Sequence, residues 1–148
     1  MRLGRVDVLC ISPLPNIELI HPVLETSAEE LAASLALSVG GTATAIEMVV
    51  PDMIARGSGT VLVTTGSGAQ RPTPDRAASA VATSAQTAYV DVLRDALAPR
   101  GVQVSQLVIV GPVGPGLKHE PDAVADKLWQ RHESGTAALE VLDSTDGA

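Results

Sequence analysis

Residues able to move a proton, attack a carbonyl or hold a metal are few and scattered. The 148-residue chain has three histidines, one cysteine and one tyrosine. His21, His119 and His132 lie far apart, and no two have the helical spacing that aims a pair at one ion, so no metal site is expected. His119, between Lys118 and Glu120, reads as a solvated loop residue. Cys10 has no disulfide partner in the chain and sits in an apolar run, where it is expected as a buried small hydrophobe. Ser67 and Ser79 have no histidine and carboxylate placed to activate them, so a hydrolase triad is not supported. Tyr89 falls within an alanine-rich helical stretch and is expected to pack. Asp122, Asp126 and Glu133 read as the wet face of a short helix, and Glu29 and Glu30 belong to a helix N-terminus. Gly66-Ser67-Gly68 separates a strand from a helix, as a phosphate loop would. The third glycine is absent, and no acidic residue ends a following strand to take a ribose hydroxyl. A plain strand-to-helix turn is the simpler reading.

The elements that must position these residues follow from the apolar pattern. Val6–Ile11, Thr60–Thr65 and Val102–Val110 are nearly continuous apolar runs, the signature of parallel strands buried on both faces. Ala138–Leu142 reads as a last short strand. Ser27 and Glu30 have capping-box spacing, and Leu31, Leu35, Val39, Thr42, Ile46, Val49, Val50 and Met53 recur at helical steps to about Arg56. Gly40-Gly41 weaken the middle of that helix, Pro51 should kink it, and Gly57-Ser58-Gly59 ends it. Thr73-Pro74 reads as a cap and first helical residue. That helix runs to about Ala98, with Ala78, Val81, Ala82, Ala85, Ala88, Tyr89, Val92 and Ala96 along its packing faces. Pro121 opens a shorter helix with Val124, Leu128 and Trp129 on one side, and Asp143–Ala148 is expected to fray. Alternating strands and helices mean an α/β parallel sheet with helices on its faces, and residues 1–148 read as a single domain.

Composition narrows the setting. Hydrophobic residues make up 45% of the chain, enough for a core built mainly of alanine, valine, leucine and isoleucine. The net charge of −7 argues against nucleic acid or an anionic membrane as partner, since both require a positive field. No uninterrupted apolar run reaches the ~18 residues of a membrane span, and the first residues lack a signal-peptide pattern, so a cytoplasmic protein is the default expectation.

Several segments, taken in order, carry a family likeness. Gly4-Arg5-Val6-Asp7-Val8-Leu9, the run from Pro51 to Val63, Leu97-Ala98-Pro99-Arg100-Gly101-Val102-Gln103-Val104, Gly111-Pro112 and Glu120-Pro121-Asp122-Ala123-Val124-Ala125 together resemble the C-terminal half of a short-chain dehydrogenase/reductase. The resemblance implies a partial doubly wound, Rossmann-like parallel sheet of about four strands with flanking helices, lacking the N-terminal nucleotide-binding half. Chemistry in that family needs a tyrosine acid/base and, one helical turn on, a lysine whose charge lowers the phenol pKa. Counting back from Gly101 puts the tyrosine position at Ser79, the lysine position at Thr83, an upstream substrate-orienting serine at Gly66, and a helix asparagine at Ser38. None keeps its residue. A serine hydroxyl titrates far above a phenol (~10), Thr83 carries no charge, and Tyr89 comes too late in the helix. No catalytic residue is therefore assigned. No cofactor is expected from this chain alone, and NAD(P) enters through the resemblance only.

What remains is a polar cleft at the carboxyl ends of the strands, where open α/β sheets bind ligands. Ser12, Thr65, Ser67, Gly111 and Pro112 are its candidate residues. Against the family pattern the first strand lacks a neighbour, which leaves an apolar edge, and the alanine-rich helices resemble the family's subunit contacts. A homo-oligomer, or a hetero-oligomer with a related subunit, is expected. Three readings stay open: a non-catalytic or partner-dependent family member, a fragment of an NAD(P)-dependent oxidoreductase acting on a carbonyl or alcohol, and a small-molecule binder using the cleft.

Overall fold

Four parallel strands form one sheet in the order β1 (Val8–Ile11), β2 (Gly59–Gly66), β3 (Val102–Ile109), β4 (Leu139–Leu142). These come from a computed structural model that describes residues 4–143. Of the segment expected to fray, Asp143–Ala148, Asp143 is instead held by Arg71 and Lys118, and 144–148 lie outside the described residues. Strand β2 pairs along Val8↔Thr60 to Ile11↔Val63 on one side and Gly59↔Val102 to Gly66↔Ile109 on the other. That central place explains its unbroken apolar run, with Thr60 to Thr65 all buried.

The chain between β1 and β2 is one helical rod. It comprises α1 (Ala28–Leu35), a π turn (Ala36–Gly40) and α2 (Gly41–Arg56). Its start is the expected capping box: Glu30 N–H donates to Ser27 Oγ at 3.2 Å, and Ser27 N–H donates to Glu30 Oε2 at 2.8 Å. The helical ladder is disturbed at the glycine pair, where Gly41 N–H donates to the Ala36 carbonyl, while α2 continues through Pro51. Gly57, at φ +68°, closes the rod, with its N–H on Ile54 O and Ser58 N–H on Met53 O, both at 3.1 Å. Within this 29-residue rod an 18-residue window reaches a mean hydropathy of 1.5, apolar enough by length and composition to cross a membrane, which corrects the expectation that no segment does so. Interrupting threonines and Glu47 hid that average. In this fold Ile46, Val50 and Met53 place α2 on the sheet.

Helix α3 (Ala77–Leu97) joins β2 to β3, and α4 (Pro121–Ser134) joins β3 to β4. Thr73 makes no side-chain cap bond to the backbone, and Pro74 opens a single 3₁₀ turn ahead of α3. The inward face of α3 carries Ala78, Ala80, Ala82, Gln86, Val90 and Leu97, while Val81, Ala88, Val92 and Ala96 are exposed. The expected stripe mixed two faces, because a helix rich in alanine all round has little contrast to reveal its inward side. On α4, Val124 is buried as expected but Trp129 is 56% exposed and leans on His132, ring centroids 5.1 Å apart.

The two sheet faces are covered by different helices. Ile46, Val50 and Met53 of α2 and Val90 and Leu97 of α3 pack with Val61, Val63, Val102 and Val104. Neighbouring strand residues point to opposite faces. Thr60, bonded to His132 Nδ1 at 2.9 Å, and Ser105, bonded to Arg131, therefore put α4 on the other side. Buried Arg131 also reaches Glu140 and the Ala138 carbonyl, and Lys127 Nζ lies 2.7 Å from Glu140. Burial raises the Glu140 carboxyl, but Lys127 and Arg131 outweigh it and hold its pKa below the ordinary carboxylate value.

Two single-residue expectations are overturned. Cys10 is exposed, because β1 is an edge strand and its run is only half-covered; partial enclosure by apolar neighbours still raises the thiol pKa. His119 is buried at 5% exposure, its Nε2 2.9 Å from the Val110 carbonyl oxygen. Backbone bonds from His119 N–H to Pro112 O (3.1 Å) and from Gly114 N–H to His119 O (2.9 Å) fold the loop after β3 onto the ring. At the other end of the sheet two turns touch. Gly101 has φ +74°, and a Cβ there would sit 2.2 Å from the Gly57 carbonyl oxygen.

Candidate ligand cleft at the strand ends

The carboxyl ends of the strands open on a cavity of about 690 Å³. The loop after β1 forms one side from Pro13 to Ile20, the rod contributes Ala33, Ser34, Leu37 and Ser38, and α3 contributes Ser79 to Gln86. Two backbone bonds tie the β1 loop to the start of α3: Val23 N–H to Pro74 O at 2.7 Å and Ala77 N–H to His21 O at 3.3 Å.

Thr65, Ser67, Gly111 and Pro112 line this cavity together. Ser12 does not; its Oγ lies 2.5 Å from Thr64 Oγ1, a side chain that leaves β2 on the face opposite Thr65. The four positions matched to the family's chemistry, Ser38, Gly66, Ser79 and Thr83, also line the cavity. Thr83 Oγ1 bonds back to the carbonyls of Ser79 (2.8 Å) and Ala80 (3.2 Å) in its own helix. Gly68 lies directly on α3: a Cβ there would meet Ala80 Cα at 2.9 Å and Thr83 Oγ1 at 2.7 Å. Gly68 is therefore packed against the helix behind it, whereas Gly66 has open space where a Cβ would stand and the turn lines the cavity.

Sequence reasoning missed Gln86. It is 1% exposed, and its Nε2 donates to Ser38 O (3.3 Å) and Thr42 Oγ1 (3.2 Å). Its Oε1 has no hydrogen-bond partner among the described residues. The available signal was its register, since Ala78, Ala82, Gln86 and Val90 follow one another at four-residue steps along the inward face. Ser38 sits in the π turn, and its carbonyl also accepts Thr42 Oγ1 at 2.6 Å. Arg71 and Arg76 line the cavity as well, and Arg71 pairs with Asp143, which also meets Lys118 Nζ at 2.7 Å. Among the described residues, no tyrosine, lysine, histidine, cysteine, aspartate or glutamate lines the cavity. No cluster of metal-ligating side chains occurs among them either.

A four-stranded parallel sheet with this cleft at its carboxyl edge defines a Rossmann-like α/β fold. Residues 1–140 match the family described as enoyl-(acyl carrier protein) reductase, and the chain belongs to that short-chain dehydrogenase/reductase family. Solved structures agree on the fold. Enoyl-[acyl-carrier-protein] reductase (NADH) from Aquifex aeolicus VF5 superposes with a TM-score of 0.76 at 23% identity, over 95% of this chain and 62% of its own. A 7α-hydroxysteroid dehydrogenase complexed with NADH and 7-oxo glycochenodeoxycholic acid gives 0.79 at 15%, over 95% and 63%. Halohydrin dehalogenase HheC bound to ethyl (2S)-oxiran-2-ylacetate gives 0.77 at 17%, over 95% and 68%. The chain thus spans about two thirds of the length of these structures. No curated protein sequence matches it.

Proposed function

We propose that this chain is a short-chain dehydrogenase/reductase-like protein with no proton-transfer chemistry of its own, whose strand-end cleft binds a small molecule, alone or beside a related catalytic subunit. The observation that carries this reading is the lining. At the tyrosine and lysine positions stand Ser79 and Thr83, and no other described lining residue titrates near neutral pH. The residues at the cleft also suit NAD(P) poorly. The turn after β2 lacks the third glycine of a dinucleotide loop, and its Gly68 is pressed against Ala80 and Thr83.

The alternative is NAD(P)-dependent reduction of a carbonyl or an enoyl group. It is favoured by family membership and by structural neighbours that include an enoyl reductase (NADH) and a dehydrogenase complexed with NADH. Fluorescence titration of the purified chain with NADH and NADPH, followed by turnover assays on a ketone and an enoyl thioester, separates the two. No saturable binding and no turnover are expected. Saturable turnover by the chain alone overturns the proposal, and turnover only after adding a co-purifying subunit selects its partner-dependent form.

A further inference from the structure

We infer that the cleft is built for an amphipathic anion that carries a hydrogen-bond donor at its far end; this rests on the reading of the cleft as a small-molecule site. Three observations combine. First, the lining contains two arginines and no carboxylate among the described residues, in a chain whose net charge is −7. Arg71 is engaged by Asp143, whereas Arg76 has only the neighbouring Asp75, which feels its charge without a close ion pair among the described residues. Arg76 also precedes the first residue of α3, so its charge adds to the positive end of a 21-residue helix. Second, Leu19, Leu37 and Ile109 supply an apolar wall between the rod and β3. Third, Gln86 lines the same cavity, and its Oε1 is a buried acceptor without a partner among the described residues. Leaving such an acceptor unpaired is unfavourable, and a ligand hydroxyl or amide N–H would satisfy it. Both Gln86 amide hydrogens are already committed to Ser38 and Thr42, so the open role is acceptance only.

The helix sets the spacing. Arg76 and Gln86 are ten residues apart along α3, which is ~15 Å of helix axis, less the reach of the arginine side chain. A medium-chain hydroxy acid has that reach. Its carboxylate meets Arg76 at the mouth, its methylenes cover Leu19, Leu37 and Ile109, and its terminal hydroxyl donates to Gln86 Oε1.

Isothermal titration of the purified chain with 8-hydroxyoctanoate, octanoate and 1,8-octanediol tests this, with Arg76→Gln as the variant because Arg76 is exposed. The hydroxy acid is expected to bind roughly tenfold more tightly than either control, and Arg76→Gln to erase its advantage over the diol. Diol binding equal to or tighter than that of the hydroxy acid, or an unaffected Arg76→Gln, overturns the anion assignment and leaves the binding cleft standing. Octanoate matching the hydroxy acid overturns the Gln86 assignment. If none of the three probes binds, the proposal falls together with the reading beneath it.

Discussion

Buried Arg131 is the residue on which the far side of the sheet depends. Its guanidinium gathers Ser105, Ala138 and Glu140, so β3, β4 and α4 meet at one side chain. Removing the carboxylate leaves a buried cation short of its counter-charge, and Glu140→Gln is expected to lower stability by about 1–3 kcal/mol at neutral pH in chemical denaturation. The pH response has a definite sign. The Glu140 carboxyl titrates lower in the folded protein than in the unfolded chain, so its contribution is complete above the unfolded value near 4.3 and disappears as pH falls through the folded one. Thermal melts from pH 6 to pH 3 should show a shallower loss for Glu140→Gln than for the parent, and parallel curves would refute the assignment. Little of this was readable in advance. Arg131 and Glu140 are ordinary surface types in an ordinary amphipathic pattern, and only the parallel pairing of β3 with β4 brings them together. His119 escaped for a similar reason: polar neighbours suggested water, but backbone bonds turn its ring beneath the loop.

At the level of elements, local signals told most where chemistry is short-range. The Ser27–Glu30 capping box forms as its spacing requires, and Ser27→Ala is expected to destabilise the chain by about 1 kcal/mol without changing the cleft, readable as a lowered denaturation midpoint at constant slope. Strands β2 and β3 were legible because central parallel strands are uniformly apolar. The face of α3 was not, since alanines on every side erase the periodic contrast, and what decides orientation is the depth at which β2 and β3 receive Val90 and Leu97. The cleft shows the same division. Thr65, Ser67, Gly111 and Pro112 were locatable because strand ends must converge on one edge, whereas Gln86 reaches that edge through the helix register alone.

For the molecule as a whole, β1 sets the terms of association. It pairs with β2 on one side, has no strand on the other among the described residues, and carries Cys10 exposed on the face opposite the α2–α3 core. Such an edge invites pairing or cover. We expect light scattering at micromolar concentration to find an oligomer, and alkylation of Cys10 to be slow there and faster on dilution. A monodisperse monomer with a freely reactive thiol would contradict this.

The contact of Gly57 with Gly101 ties distant parts of the chain into one hinge pin. Neither residue tolerates a side chain, the one by its left-handed backbone and the other by that and by lack of space, so the exits of α2 and α3 are clamped back to back. Loosening either unfastens both, and amide exchange just after the two glycines should therefore rise and fall in step, although the paired segments are separated by the whole of β2 and α3.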